Sequence, residues 1–132
     1  MSGIPFMEAD ICDAGSAIVV WVHNSDRIYA NRFNGSDWES AAGEQIDDGA
    51  LGISTKPQIA MDPQGNAVAV WVQNSNCYAN RYRIDSGWGS PEKIESLAIG
   101  VVDPRIVIDT MGNVTVIWTA DTPDGTYAVR FE

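Results

Sequence analysis

The stretch PQIAMDPQGNAVAVWVQNSNCYANRYRIDSGW, Pro57 to Trp88, decides how this chain folds, because most of it is found again on either side. Downstream, PRIVIDTMGNVTVIW (Pro104 to Trp118) repeats Pro57 to Trp71 without a gap at an offset of 47, so Pro57, Asp62, Gly65, Asn66 and Trp71 meet Pro104, Asp109, Gly112, Asn113 and Trp118. Upstream, Gly15 and SAIVVWV match GNAVAVWV, and IYANRF (Ile28 to Phe33) matches CYANRY (Cys77 to Tyr82) at an offset of 49. Trp38 and Trp88 close the unit, 50 apart.

Within each unit the runs are short and strand-like. MEADIC, PQIAMD and PRIVID lead, the last two opening on a proline, which cannot donate to a ladder and so suits an edge or a strand start. A tight turn follows. In DPQGN and DTMGN the glycine takes positive φ at no steric cost, which folds the next strand back antiparallel; in the first unit the turn reads CDAGS. The second strands, AIVVWV, AVAVWV and VTVIWT, are apolar on both alternating faces and must be covered on both sides. The third strands, IYANRF, CYANRY and TYAVRF, place Tyr and Phe on one face and Ala and Arg on the other. DWESAAGEQI and GWGSPEKI read as fourth, outer strands.

A period near fifty built from such runs, with no 3.6-residue apolar pattern, points to an all-β chain of propeller-like blades, each of four antiparallel strands. The repeats are 7–56, 57–103 and 104–132 of one domain. The last lacks its outer strand, giving about two and three-quarter blades per chain. Closed propellers carry four to eight blades, so one chain cannot close a ring. Either the chain is a piece of a longer propeller or copies of it associate; the favoured expectation is a homo-oligomer, a two-fold dimer of near six blades, in which copies cover the open edge at Tyr127, Val129 and Phe131.

The chain has 132 residues, 45% of them hydrophobic, which is enough for a real core. A net charge of -10 with two lysines, Lys56 and Lys93, excludes phosphate-backbone binding and contact with acidic membrane surfaces. No run approaches a membrane span, and the N-terminus has neither the basic nor the apolar region of a signal peptide, so a cytoplasmic location is expected. Cys12 and Cys77 fall at different places in the repeat, which gives no reason to pair them.

The D-x-x-G-N turn followed by an apolar strand resembles NHL-type propeller repeats, and the DxxGN…W units resemble propeller-like bacterial surface repeats, over nearly the whole chain. The turn is more loosely similar to the sialidase Asp-box, from which it departs in its longer Asp62-to-Gly65 spacing and later Trp71. Gly87-Trp88-Gly89 is similar to the Trp-Gly motif of propeller lectins. These resemblances imply a propeller fold and, between them, enzymes, lectins and scaffolds.

Residues that recur in every unit serve the architecture most simply. Trp21, Trp71 and Trp118 are therefore read as core, and Arg32, Arg81 and Arg130 as per-blade ion pairs or cations stacked on a neighbouring Trp, the alternative being a carboxylate-binding triad like that of sialidases. Trp38 and Trp88 are the candidate ligand-binding pair, since an aromatic at a blade margin can stack on a sugar, with Asn34, Asp37 and Ser86 supplying hydrogen bonds. The loops around His23, Asp26, Gln73 and Asp121 form a candidate protein-contact face. No G-x-S-x-G elbow, zinc spacing, calcium loop, P-loop or dinucleotide fingerprint is present, so no catalytic residue, metal or cofactor is assigned. The favoured function is non-enzymatic binding, of carbohydrate first, by a homo-oligomer. The alternatives are a protein-interaction scaffold and a sialidase-like glycoside hydrolase.

Overall fold

The computed structural model describes residues 6–94, 99–122 and 124–131. The protein is all-β, three antiparallel sheets in chain order. The first sheet pairs β1 (Met7–Ile11), β2 (Ala17–His23), β3 (Arg27–Phe33) and β4 (Glu44–Gln45) in that order. The second pairs β5 (Ser54–Met61), β6 (Ala67–Gln73), β7 (Asn76–Arg83) and β8 (Gly87–Trp88), with β9 (Glu92–Lys93) also on β7. The third is β10 (Ile99–Ile108), β11 (Val114–Thr122) and β12 (Asp124–Phe131). Among the described residues β12 is an edge, paired to β11 alone. No helix there is long and apolar enough to cross a membrane.

Alternation of side chains splits the two-faced strand β6 between two cores. Ala67, Ala69 and Trp71 join Ile18, Val20, Ile28, Ala30 and Ile46 of the first sheet, while Val68, Val70 and Val72 join Val114, Val116, Trp118 and Ala120 of the third. Every residue of β6 is buried as a result. The two cores are repeats of one another, with the second sheet between its neighbours.

The hairpin turns are built by one device. Asp62 Oδ1 accepts from the amides of Gln64 and Asn66, its Oδ2 accepts from Asn66 Nδ2, and the Gly65 amide donates to the Asp62 carbonyl. Asp109 repeats this with Met111 and Asn113. In the first sheet Cys12 and Ser16 stand where the others carry Asp and Asn, and their Sγ and Oγ lie 2.9 Å apart. The backbone bonds of the turn survive the exchange, Cys12 N to Ser16 O and Gly15 N to Cys12 O.

Two expectations about strands are corrected. Pro57 and Pro104 do not begin their strands: β5 and β10 start upstream at Ser54 and Ile99, and the prolines sit fully buried at register shifts between Thr55 and Gln58 and between Val102 and Arg105. The residues before them, Lys56 and Asp103, have φ of 55° and 47°, so the missing proline donor falls in a bulge and not in the ladder. Lys56 Nζ and Asp103 Oδ1, equivalent positions in two repeats, pair at 3.2 Å. The outer strands are also shorter than their sequences imply. A single Phe33–Trp38 bridge and β4 stand for the first, β8 and β9 for the second.

Candidate functional site

Neighbouring sheets meet through a repeated cation and ring. Arg32 lies over the Tyr82 ring at 5.6 Å and Arg81 over the Phe131 ring at 5.6 Å. The stacked ring is thus a Tyr or Phe of the next sheet and not a Trp, while the per-blade ion pair, the other half of the expectation, is present for Arg32 with Glu39 and for Arg130 with Asp109. Such a contact is worth about 0.5 to 2 kcal/mol, rising with desolvation. Burial raises the Tyr82 phenol above its ordinary value of 10.0, while the Arg32 charge pulls the other way. Arg130, next in the series, is an exposed side chain 3.8 Å from Asp109.

Trp38 and Trp88 hold equivalent places but differ in exposure. Trp38 is 50% exposed and packs against Phe33 with ring centroids 5.4 Å apart. Its loop is fixed: Asn34 Oδ1 accepts from the amides of Ser36 and Asp37, and the Asn34 amide donates to the Asp37 carbonyl. Trp88 packs on Tyr82 at 5.5 Å and is half-buried against the first core. Ser86 is exposed on the turn before it, its amide donating to Arg83 O. Asn34, Asp37 and Trp38 form one rim. Trp88 and Ser86 belong to the margin of the next sheet.

Of the expected loop face, Gln73 is withdrawn from the surface. Gln73 is fully buried, donating from Nε2 to the carbonyls of Asp48 and Gly52 and accepting from Trp71 Nε1. It ties the connection between the first two sheets to the core and is withdrawn from any contact surface. Arg27 holds the same connection through Asp47 and the carbonyls of Asp48 and Leu51. The buried Asp47 also accepts from Ser54 Oγ. His23 stacks on Tyr29 at 4.2 Å, and the Asp26 carbonyl accepts from the Ser54 amide. The Asp121 side chain lies outside the described residues. At the edge, Tyr127, Val129 and Phe131 turn their side chains inward onto the second core, leaving backbone groups as what β12 offers.

One cavity was not read from the sequence. It has a volume of 520 Å³ between the second and third sheets and is lined by Arg81, Arg83 and Lys93 together with Gly89, Val129 and Phe131. Among the described residues Arg81 makes no ion pair, and its buried Nη2 has no acceptor. An unmet buried donor costs about 1 to 3 kcal/mol, more when charged. Burial first, and then the charge of Arg83, hold the Arg81 guanidinium below its ordinary value, against Asp62 and Glu92. The available signal was the pairing of Arg32 with Glu39 at 2.9 Å and the absence of a carboxylate at the matching place in the second repeat.

No family model matches the chain, and no curated protein matches it. Among solved structures it is similar to a protein of unknown function from Dyadobacter fermentans, with a TM-score of 0.67 and 13% identity over 94% of this chain and 36% of that one. It is also similar to an endo-arabinase from Bacteroides thetaiotaomicron, with a TM-score of 0.53 and 14% identity over 94% of this chain and 54% of that one. The chain therefore spans between a third and just over half of these neighbours. At such identity the likeness is one of fold alone.

Proposed function

We propose that the three sheets are blades of a propeller-like assembly completed by a second copy of the chain, and that the assembly binds carbohydrate without turning it over. The observation that carries it is the outer face of the first sheet. That face bears Ala17, Val19 and Trp21, the equivalents of Ala67, Ala69 and Trp71, which the first sheet covers in the repeat that follows. Around it Met7 and Ile11 are each 66% exposed, and Met7, Val19 and Trp21 line an apolar cavity of 460 Å³. A third sheet laid there would bring Arg130 to Phe33, as Arg32 comes to Tyr82. Two such junctions make a ring of six sheets with two-fold symmetry.

The rim at Trp38 supports the carbohydrate. An exposed indole braced by Phe33 and flanked by a preformed Asn34–Asp37 turn offers a stacking plane with hydrogen-bonding groups beside it. Covering the first sheet leaves that margin usable, since Trp88, already covered on that side, stays half-buried. Light scattering tests the assembly. The expected mass is twice 14.3 kDa, falling to one chain in Met7→Lys/Ile11→Lys, and a wild-type monomer overturns it. Tryptophan fluorescence over a panel of neutral glycans tests the ligand, with a response lost in Trp38→Ala; silence across the panel removes the carbohydrate.

A further inference from the structure

The repeat supplies its own internal control for a binding site. Trp38 matches Trp88, so the next residue, Glu39, matches Gly89. The backbone confirms the correspondence, because the Glu39 amide donates to Arg32 O at 2.8 Å and the Gly89 amide donates to Arg81 O at 2.9 Å. The arginine is kept and its carboxylate is gone. In the first repeat Arg32 Nη1 donates to Glu39 Oε2 at 2.9 Å. In the second, Gly89 offers no side chain, and a 520 Å³ cavity lies beside Arg81.

We propose that this cavity binds a small organic carboxylate of about the size of a sugar acid, whose carboxylate takes the place that Glu39 holds in the first repeat. Charge favours an anion there. Among the described residues, three of the eight basic residues of a chain with net charge -10, Arg81, Arg83 and Lys93, line the cavity against one lining acid, Glu92, with Asp62 also acting on Arg81. Arg81 is already positioned, its guanidinium held over Phe131, so little side-chain freedom is lost when an anion arrives. The volume exceeds what a bare carboxylate fills, and Val129 and Phe131 give an apolar wall for the carbon skeleton. A phosphate shares the charge but not the single-carboxylate geometry that the first repeat displays. This site is separate from the Trp38 rim and does not depend on it.

The test is calorimetric titration of the full Trp38→Ala chain, in which the rim is disabled, with D-galacturonate, and with D-galactose and inorganic phosphate as comparators. Galacturonate binds and galactose does not. Gly89→Glu restores the internal carboxylate and lowers galacturonate affinity at least tenfold. It does so without unfolding the sheet, because a Cβ at Gly89 meets its nearest neighbours, Asn80 Oδ1 and Arg81 O, at 3.6 and 3.7 Å, ordinary contact distances. Lys93→Glu, at an exposed position, lowers the affinity by a similar factor and does not rest on the packing of Gly89. Equal binding of galactose, unchanged affinity in both variants, or no binding of galacturonate overturns the site. Phosphate binding as tightly as galacturonate overturns the choice of carboxylate. Failure of neutral glycans at the rim leaves all of these outcomes as they stand.

Discussion

Cys12 occupies a position built for a carboxylate. Burial works against its thiolate, but the Ser16 hydroxyl and the amides of Ala14, Ser16 and Gly15 outweigh it and hold the thiol below its ordinary value of 9.0. The turn still wants an acceptor with two oxygens. Cys12→Asp with Ser16→Asn should therefore convert it to the form of the other two turns and stabilise the chain by about 1 kcal/mol, read as a higher melting temperature. At Asp109 the side chain and backbone N–H of Asn113 hold the carboxyl below its ordinary 3.8, with Met111 N–H and Arg130 adding and desolvation opposing. A depressed folded pKa gives stability that is present above 3.8 and is lost as pH falls through the folded value. Denaturation titrated through that acid range should show a branch that Asp109→Asn flattens.

At the scale of the strand, the tryptophans test how far repetition goes. Trp71 donates to Gln73 Oε1 at 3.0 Å, but the third repeat has Ala120 where Gln73 stands, and among the described residues the buried Trp118 Nε1 has no acceptor. Trp71→Phe strands the Gln73 oxygen, whereas Trp118→Phe removes a donor already unmet. The first should cost about 1 to 3 kcal/mol more than the second in chemical denaturation. Much of the strand plan was legible, because AVAVWV carries apolar groups on both alternating faces and DPQGN can only turn. The burial of Gln73 was not, since a glutamine after an apolar run reads as the start of a loop and only the carbonyls of Asp48 and Gly52, more than twenty residues away, draw it in. The bulges at Lys56 and Asp103 were hidden for a similar reason: a proline marks the break in a ladder but not that the strand resumes before it. The carboxylate missing beside Arg81 was visible in the sequence only once Glu39 was known to pair with Arg32.

For the molecule as a whole, the two inner interfaces are closed and the two outer faces are not alike. The first sheet exposes Met7, Ile11 and part of Trp21. On the third sheet Thr115 and Thr119 flank Ile117 where β6 carries Val68, Val70 and Val72. In the single chain Trp21→Ala should cost much less than Trp71→Ala, for which about 3 to 5 kcal/mol is expected. In a dimer built as proposed the two costs should approach each other, so the ratio measured above and below the dissociation concentration reports whether the face is covered.

The placing of Arg32 over Tyr82 and of Arg81 over Phe131 gives the stack a polarity, with each cation reaching toward the C-terminal neighbour. Such an array has a head and a tail, and like ends offer each other no complement. Copies disabled at the head by Phe33→Ala and copies disabled at the tail by Arg130→Ala should each self-associate poorly, yet an equal mixture retains one sound junction per pair. Partial rescue on mixing is therefore the mark of a directional joint, and a symmetric contact between like faces would show none.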